Sequence, residues 1–375
     1  MKVIIAVNSS WNAWNYRRGL INALIKEGHE VTVVAPYDSF SIRLGSLGCS
    51  YHSVHMESRS VNPISDFRYF FALNKIIRMI KPHVVLSFTI KPNIYAGLCG
   101  KFNSVPVIAN VSGLGVVFDN HGWLQFAARQ LYRFGMTGCK RVFFQNAHDL
   151  DFFIYHNLIS SRLVERLPGS GVNLSYFPFV PVVERSSQTI KFLAMGRLLR
   201  EKGFEILCEA LYQMRCANHM VECTLVGFLD EQRNNAISER VIRKWEEIGV
   251  IKFVNAVDDV RPYIRDSDCV VLPSFYGEGT PRALLEGAAM GRPVITTDSI
   301  GCRDVVIDGV TGFLCEPKSI NELSKCLIKF VKMSTSDRRA MGLAGRRLME
   351  RRFDEKIVIK KYFDAIAEYV LGIDF

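Results

Sequence analysis

Short, largely apolar runs alternate with stretches of helical period along almost the whole of this chain. In the first half the runs are Val3–Val7, Val31–Ala35, Val84–Phe88, Val105–Asn110 and Arg141–Gln145. Between and after them lie helical patterns over Tyr16–Glu27, Ile64–Ile80, Asn93–Phe102, Trp123–Phe134 and His148–Asn157. A strand that is apolar on both faces must be covered on both faces. Helices inserted between consecutive strands supply that cover when the strands run parallel.

The arrangement then restarts. Runs at Ile190–Met195, Glu222–Val226, Ile251–Val254, Cys269–Leu272, Pro293–Thr296 and Gly312–Cys315 are joined by helical stretches near Gly203–Arg215, Asn235–Glu247, Thr280–Met290 and Ile320–Val331. Between the halves, Pro168-Gly169-Ser170-Gly171 reads as a turn, and Phe177–Ser187, with Pro178 and Pro181, as a linker. A length of 375 residues fits two domains. The expected fold is therefore α/β: two doubly wound, Rossmann-like domains, 1–175 and 188–352, facing across a cleft. A ligand belongs at the carboxyl ends of the strands. The last segment, about 337–371, reads as helical and rich in Arg, from Arg338-Arg339 to Arg351-Arg352. Interleaved acids make a solvated face the better reading than a nucleic-acid patch.

With 49% hydrophobic and 22% charged residues the chain is neither a disordered tail nor collagen-like. Its formal charge of +10 is uneven. Residues 1–185 hold 19 Lys and Arg against 10 Asp and Glu; the remainder hold 28 against 27. An anionic partner, nucleic acid or membrane, would meet the first half. The apolar run after Lys2 is too short for a signal-peptide core, and no run suits a spanning helix. Ten cysteines without zinc-type spacing read as reduced, buried thiols in a cytoplasmic protein.

Two stretches carry chemistry. Ser274–Gly287 follows an apolar strand, and Thr280 as N-cap with Pro281 in the first turn starts a helix there. Its free amides and dipole make a phosphate cradle. Glu278 stands ahead of Gly279-Thr280-Pro281 and Glu286 about two turns inside, so one carboxylate can hold a ribose and the other a sugar beyond the phosphates. The alternative is two solvated glutamates. Gly196-Arg197-Leu198-Leu199-Arg200-Glu201-Lys202-Gly203 also follows a strand. Arg197 and Lys202 suit a diphosphate, or else form a basic surface turn.

Taken together, Gly196-Arg197 … Glu201-Lys202-Gly203 and Glu278-Gly279 … Glu286 resemble the retaining nucleotide-sugar glycosyltransferases of family 4, which have the GT-B fold. The likeness spans nearly the whole chain, including Pro168–Asn173 and Asp308–Leu314. It implies a donor-binding second domain, an acceptor-binding first domain, and a final helix, 353–371, returning to the first. It implies that Arg197 and Lys202 neutralise the diphosphate, Glu286 holds the ribose and Glu278 contacts the donor sugar, with no metal or cofactor. UDP with a hexose or N-acetylhexosamine, and a lipid-linked or polysaccharide-precursor acceptor of bacterial surface glycans, follow from the subset it resembles. Two departures stand out. Asn8-Ser9-Ser10-Trp11-Asn12 replaces a Gly-Gly loop, and Asn110–Phe118 carries no His where many members have one; nearby His121 reads as a loop residue.

Asp149-Leu150-Asp151 suits a helix start better than a metal. Trp11, Trp14, Tyr16, Arg17 and Arg18, with Lys140-Arg141 and the helix Trp123–Arg133, suggest peripheral contact with an anionic membrane bearing a polyprenyl-diphosphate-linked acceptor, or simply packed aromatics and solvated charges. A GT-B sugar-nucleotide epimerase would need an acid/base pair that is not evident. A nicotinamide dehydrogenase would need Gly-x-Gly-x-x-Gly after a first strand. A basic nucleic-acid-binding protein would need a recognition motif, and none is present.

Overall fold

The apolar runs of the sequence become the strands of two parallel sheets. The computed structural model describes residues 1–57, 62–114, 123–184, 188–230 and 235–372. Among these the chain forms two units, Met1–Ser170 with Glu355–Phe375, and Gly171–Asp354.

In the first unit the strands are β1 (Lys2–Ala6), β2 (Glu30–Ala35), β3 (Ser50–Ser53), β4 (Val84–Phe88), β5 (Val107–Val111), β6 (Cys139–Phe144) and β7 (Val164–Arg166), in spatial order β3-β2-β1-β4-β5-β6-β7. The pairings are parallel; Ile4, for example, lies between Thr32 and Val85. One face is covered by helices Pro63–Ile80, Ile90–Asn103 and Trp123–Met136, whose Tyr69, Leu73, Ile77, Ile94, Cys99 and Tyr132 pack on Ile4, Val85, Val107 and Val142. The opposite face is covered by helices Ser10–Lys26 and Glu355–Ile366, with Ile21, Leu24, Val358 and Tyr362 on Ile5, Val33, Leu86 and Ile108. Each large apolar side chain buried this way contributes about 1.5–3 kcal/mol.

The second unit repeats the plan with β8 (Ile190–Arg197), β9 (Val221–Phe228), β10 (Lys252–Asn255), β11 (Cys269–Leu272), β12 (Val294–Thr297) and β13 (Gly312–Cys315), ordered β10-β9-β8-β11-β12-β13. In both sheets the winding reverses beside the first strand, between β1 and β4 and between β8 and β11. A doubly wound sheet opens its ligand crevice at that point.

Sequence reading misses β3 (Ser-Tyr-His-Ser) and β7 (Val-Glu-Arg). Both are edge strands, half-buried at most. With one neighbour each, they need no apolar run.

The C-terminal segment is helical, as read: Thr335–Leu348 and a π-turn at Met349–Phe353 are followed, after Asp354 leaves helical geometry (ψ 130°), by Glu355–Ile366. Two further expectations change. The arginines of this segment are not a uniformly solvated face. Arg339 Nε donates to the Val182 carbonyl at 2.7 Å, and Arg346 donates to those of Phe177 and Ala289 at 2.9 and 2.8 Å. Fully buried Arg292 donates to Val180 at 2.7 Å. The residues from Phe177 to Val182, expected as linker, are thus strapped onto the second unit. Guanidinium groups satisfy carbonyls that an extended segment leaves unpaired. Ser187 lies outside the described residues.

Candidate active site

The site is built from three loops at the carboxyl end of the second sheet. After Arg197, at the end of β8, the chain makes one 3-10 turn over Arg200–Lys202 and ends it at Gly203, φ 75°. A side chain at Gly203 would place its Cβ 2.1 Å from the Pro273 carbonyl oxygen. Glycine therefore lets the loop after β8 press against the loop after β11. Once there, the Glu201 carbonyl accepts from the Phe275 N–H at 2.9 Å and the Ser274 hydroxyl at 3.2 Å.

The contact brings together residues 76 apart in sequence. Lys202 Nζ lies 2.6 Å from Glu278 Oε2, and each side chain is 13% exposed. The third loop, after β12, supports the same place. The Glu278 N–H donates to the Ile300 carbonyl at 3.3 Å, and Gly301 (φ 82°) leaves only 2.4 Å between its would-be Cβ and the Glu278 carbonyl. The Ser299 hydroxyl donates to the Ser274 carbonyl at 2.9 Å. Lys202 and Glu278 are thus held by backbone on three sides, beside the reversal of winding between β8 and β11. Cys302, buried close by, has its thiol pushed up to about 11, by burial first and the Glu278 charge second.

The helix that follows runs Arg282–Ala289, with Pro281 at the cap position and no capping side chain. Thr280 is not its N-cap. Proline fixes its own φ and pushes the preceding residue out of helical geometry, so the helix begins after it. Glu286 accordingly sits just over one turn inside, not two. Its Oε1 accepts from Arg282 Nε at 3.0 Å, with Nη2 at 2.9 Å. Burial raises the Glu286 carboxyl above the usual glutamate range, and the Arg282 guanidinium partly offsets this. Arg282 was missed in the sequence, although its spacing of four from Glu286 was a usable signal. Gly279 and Pro281 are buried in the loop; Arg197 is half-buried at the end of β8.

Two family models match the chain. Residues 3–146 match "Glycosyl transferase 4-like" and residues 189–333 match "Glycosyl transferases group 1". The chain is a group 1 glycosyltransferase.

Its donor class is nucleotide-sugars and its fold is GT-B. A glycosyltransferase from Rickettsia africae superposes with TM-score 0.81 at 19% identity, covering 100% of this chain and 99% of that one. Anabaena HepE, solved with UDP and glucose, superposes with TM-score 0.78 at 17% identity over 100% of both chains. The N,N'-diacetylbacillosaminyl-diphospho-undecaprenol α-1,3-N-acetylgalactosaminyltransferase of Campylobacter jejuni is 24% identical over 378 aligned positions, covering 96% of this chain and 97% of that protein.

In the first unit of this glycosyltransferase the turn after β4 leads into Lys91, whose charged partner at 2.5 Å is Asp66 of the helix Pro63–Ile80 and not a residue of the loop after β1. Ser9 caps the helix Ser10–Lys26 by accepting from the Asn12 N–H at 3.1 Å. Arg17 is buried, its guanidinium 4.0 Å from the Phe88 ring centroid. Trp11 packs edge-on against Tyr16, and Arg18 lies 5.2 Å over Trp14. The aromatic-basic cluster is therefore spent largely on itself. Asn110 is buried: its amide donates to the Tyr362 hydroxyl at 2.8 Å, and its oxygen accepts from Gln145 at 3.1 Å. Residues 115–118 and His121 lie outside the described residues. Asp149 belongs to a cap: its N–H donates to Asn146 Oδ1 at 2.8 Å, and Asn146 Nδ2 donates back to its carboxylate at 2.9 Å. Among the described residues no helix is long and apolar enough to cross a membrane.

Proposed function

We propose that the second unit binds a UDP-sugar, carrying a hexose or N-acetylhexosamine, and that the enzyme transfers the sugar with retention to a polyprenyl-diphosphate-linked acceptor of bacterial surface-glycan assembly. The domains of that reading are 1–175 for the acceptor, with the helix 353–371, and 188–352 for the donor. The observation that carries it is the meeting of Lys202 and Glu278 at the reversal of winding, with Arg197 ending the same strand. Two cations and the amides opening the helix at Arg282 suit a leaving diphosphate. Glu286 suits a ribose and Glu278 the donor sugar. HepE, solved with UDP, supports the nucleotide, and the Campylobacter enzyme's diphospho-undecaprenol acceptor supports the lipid.

In this mechanism an acceptor hydroxyl attacks the anomeric carbon on the face that the diphosphate leaves. The sugar–phosphate bond breaks through an oxocarbenium-like state, and the departing phosphate oxygen takes the hydroxyl proton. Lys202 and Arg197 stabilise charge that grows on the diphosphate, the preorganised electrostatic contribution. Lys202 is already fixed by Glu278, so little reorganisation accompanies that step. Peripheral contact of the first unit with the cytoplasmic face of an anionic membrane would bring it to the acceptor.

A thermal-shift panel of UDP-, GDP- and ADP-sugars tests the donor. At a hundredfold excess over Kd the true donor stabilises the native state by about 2.7 kcal/mol. A UDP-sugar shift abolished in Lys202→Ala is expected. No shift with any nucleotide-sugar, or one indifferent to Lys202, overturns the assignment.

A further inference from the structure

The helices Pro63–Ile80, Ile90–Asn103 and Trp123–Met136 lie side by side on one face of the first sheet. Their inward residues form the core described above. Their outward residues are unusual for a surface. On Pro63–Ile80 the outward stripe is Ile64, Phe67, Arg68, Phe71, Lys75, Arg78 and Met79, recurring every three to four residues. Phe67 and Phe71 are 64% and 58% exposed, with ring centroids 5.5 Å apart. Phe102, at the end of the next helix, is 68% exposed and touches the same row through Phe70 at 6.1 Å. Phe126 and Phe134 are exposed on the third helix.

Charge on these helices is one-sided. They carry Arg68, Lys75, Arg78, Lys91, Lys101, Arg129 and Arg133, against a single acid, Asp66. Asp66 is itself neutralised by Lys91, at 2.5 Å, with both side chains largely buried. Exposed aromatics among cations, with no exposed acid, match an anionic lipid surface: rings enter the headgroup boundary while Lys and Arg meet phosphates. A protein partner of ordinary composition would call for some acids in return.

We infer that this three-helix face, and not the Trp11–Arg18 helix on the opposite side of the sheet, seats the enzyme on an anionic bilayer. The inference rests on the reading that the acceptor is lipid-linked, and names the surface that meets the lipid.

The test is co-sedimentation of the full chain with vesicles of phosphatidylcholine alone or mixed with phosphatidylglycerol. Binding is expected only to the mixed vesicles and is expected to fall with salt. Neutralising Arg68, Lys75 and Arg133 together (to Gln) weakens it ~100-fold, about fivefold per cation. Phe67→Ser with Phe71→Ser weakens it by about tenfold or more, whereas Trp11→Ala leaves it unchanged. All these side chains except Trp11 are exposed, and unfolding midpoints equal to wild type exclude misfolding. Equal binding to both vesicle types, retention by the Phe67/Phe71 variant, or loss with Trp11→Ala overturns the inference. So does a wild-type dimer that the Phe67/Phe71 variant converts to monomer. Vesicle binding requires neither substrate. Binding without transfer to a lipid-linked acceptor therefore breaks the functional reading alone, and transfer in detergent without vesicle binding breaks this inference alone.

Discussion

The two sheets share a strand order and a reversal of winding, yet what stands at the two reversals differs. In the second unit the loops after β8 and β11 present Lys202 and Glu278 as an ion pair, with a helix opening beside them. In the first, the equivalent polar groups are turned inward. Arg17 lies on Phe88, and Asn110 is held by Tyr362 and Gln145. The same topology thus places a charged pair between the loops after β8 and β11 in one unit and, in the other, a helix-to-helix pair of Lys91 and Asp66 beside side chains engaged internally. Topology places the opening, and the side chains decide whether it is offered to a ligand.

That contrast predicts that damage at the second reversal falls on chemistry and damage at the first on stability. The largest effect is expected from Lys202→Ala, a loss of ~10²–10³ in kcat measured with the donor at saturation. Turnover near wild type would erase the distinction between the reversals. Next comes Gly203→Ala. Its Cβ would stand 2.1 Å from a backbone oxygen at positive φ, so urea unfolding should show a loss of about 3 kcal/mol or more. Here the second reversal also governs stability, as it does at Gly301, because backbone rather than charge is in contact.

Tyr362→Phe leaves a buried Asn110 donor unmade. It should lower stability by about 1–3 kcal/mol while leaving the thermal shift produced by the donor intact. A lost donor response would mean that the first network serves binding as well. The smallest effect concerns pH. Burial raises the Glu286 carboxyl, so the native state holds that proton longer than the unfolded chain does. The sign is that stability from this group falls as pH rises from the ordinary glutamate range through the raised value. Donor affinity should rise over the same window as the carboxylate forms, and titration calorimetry of Glu286→Gln should show a flat profile there.

Much of this was legible in the residues. Apolar runs fixed the central strands because a strand covered on both faces has little choice of composition. The edge strands β3 and β7 escaped because one neighbour imposes no such demand. At the site, Glu278, Lys202 and Glu286 could be picked out by their position after strands. Their partners could not, except for Arg282, four residues from Glu286. The Arg-rich C-terminal helix looked like a solvated face, since sequence does not reveal that extended residues nearby have carbonyls to satisfy.

By itself, then, the sequence determined the alternation of strands and helices, the doubling of that pattern and the residue types that can meet a nucleotide-sugar, because periodicity and composition are local properties. Only the tertiary structure decided that Lys202 meets Glu278, that Arg17 and Asn110 are consumed internally, and that the exposed phenylalanines gather on the cationic side of the first sheet. Those outcomes depend on which residues, tens or hundreds apart, the parallel crossovers bring to the same end or face of a sheet.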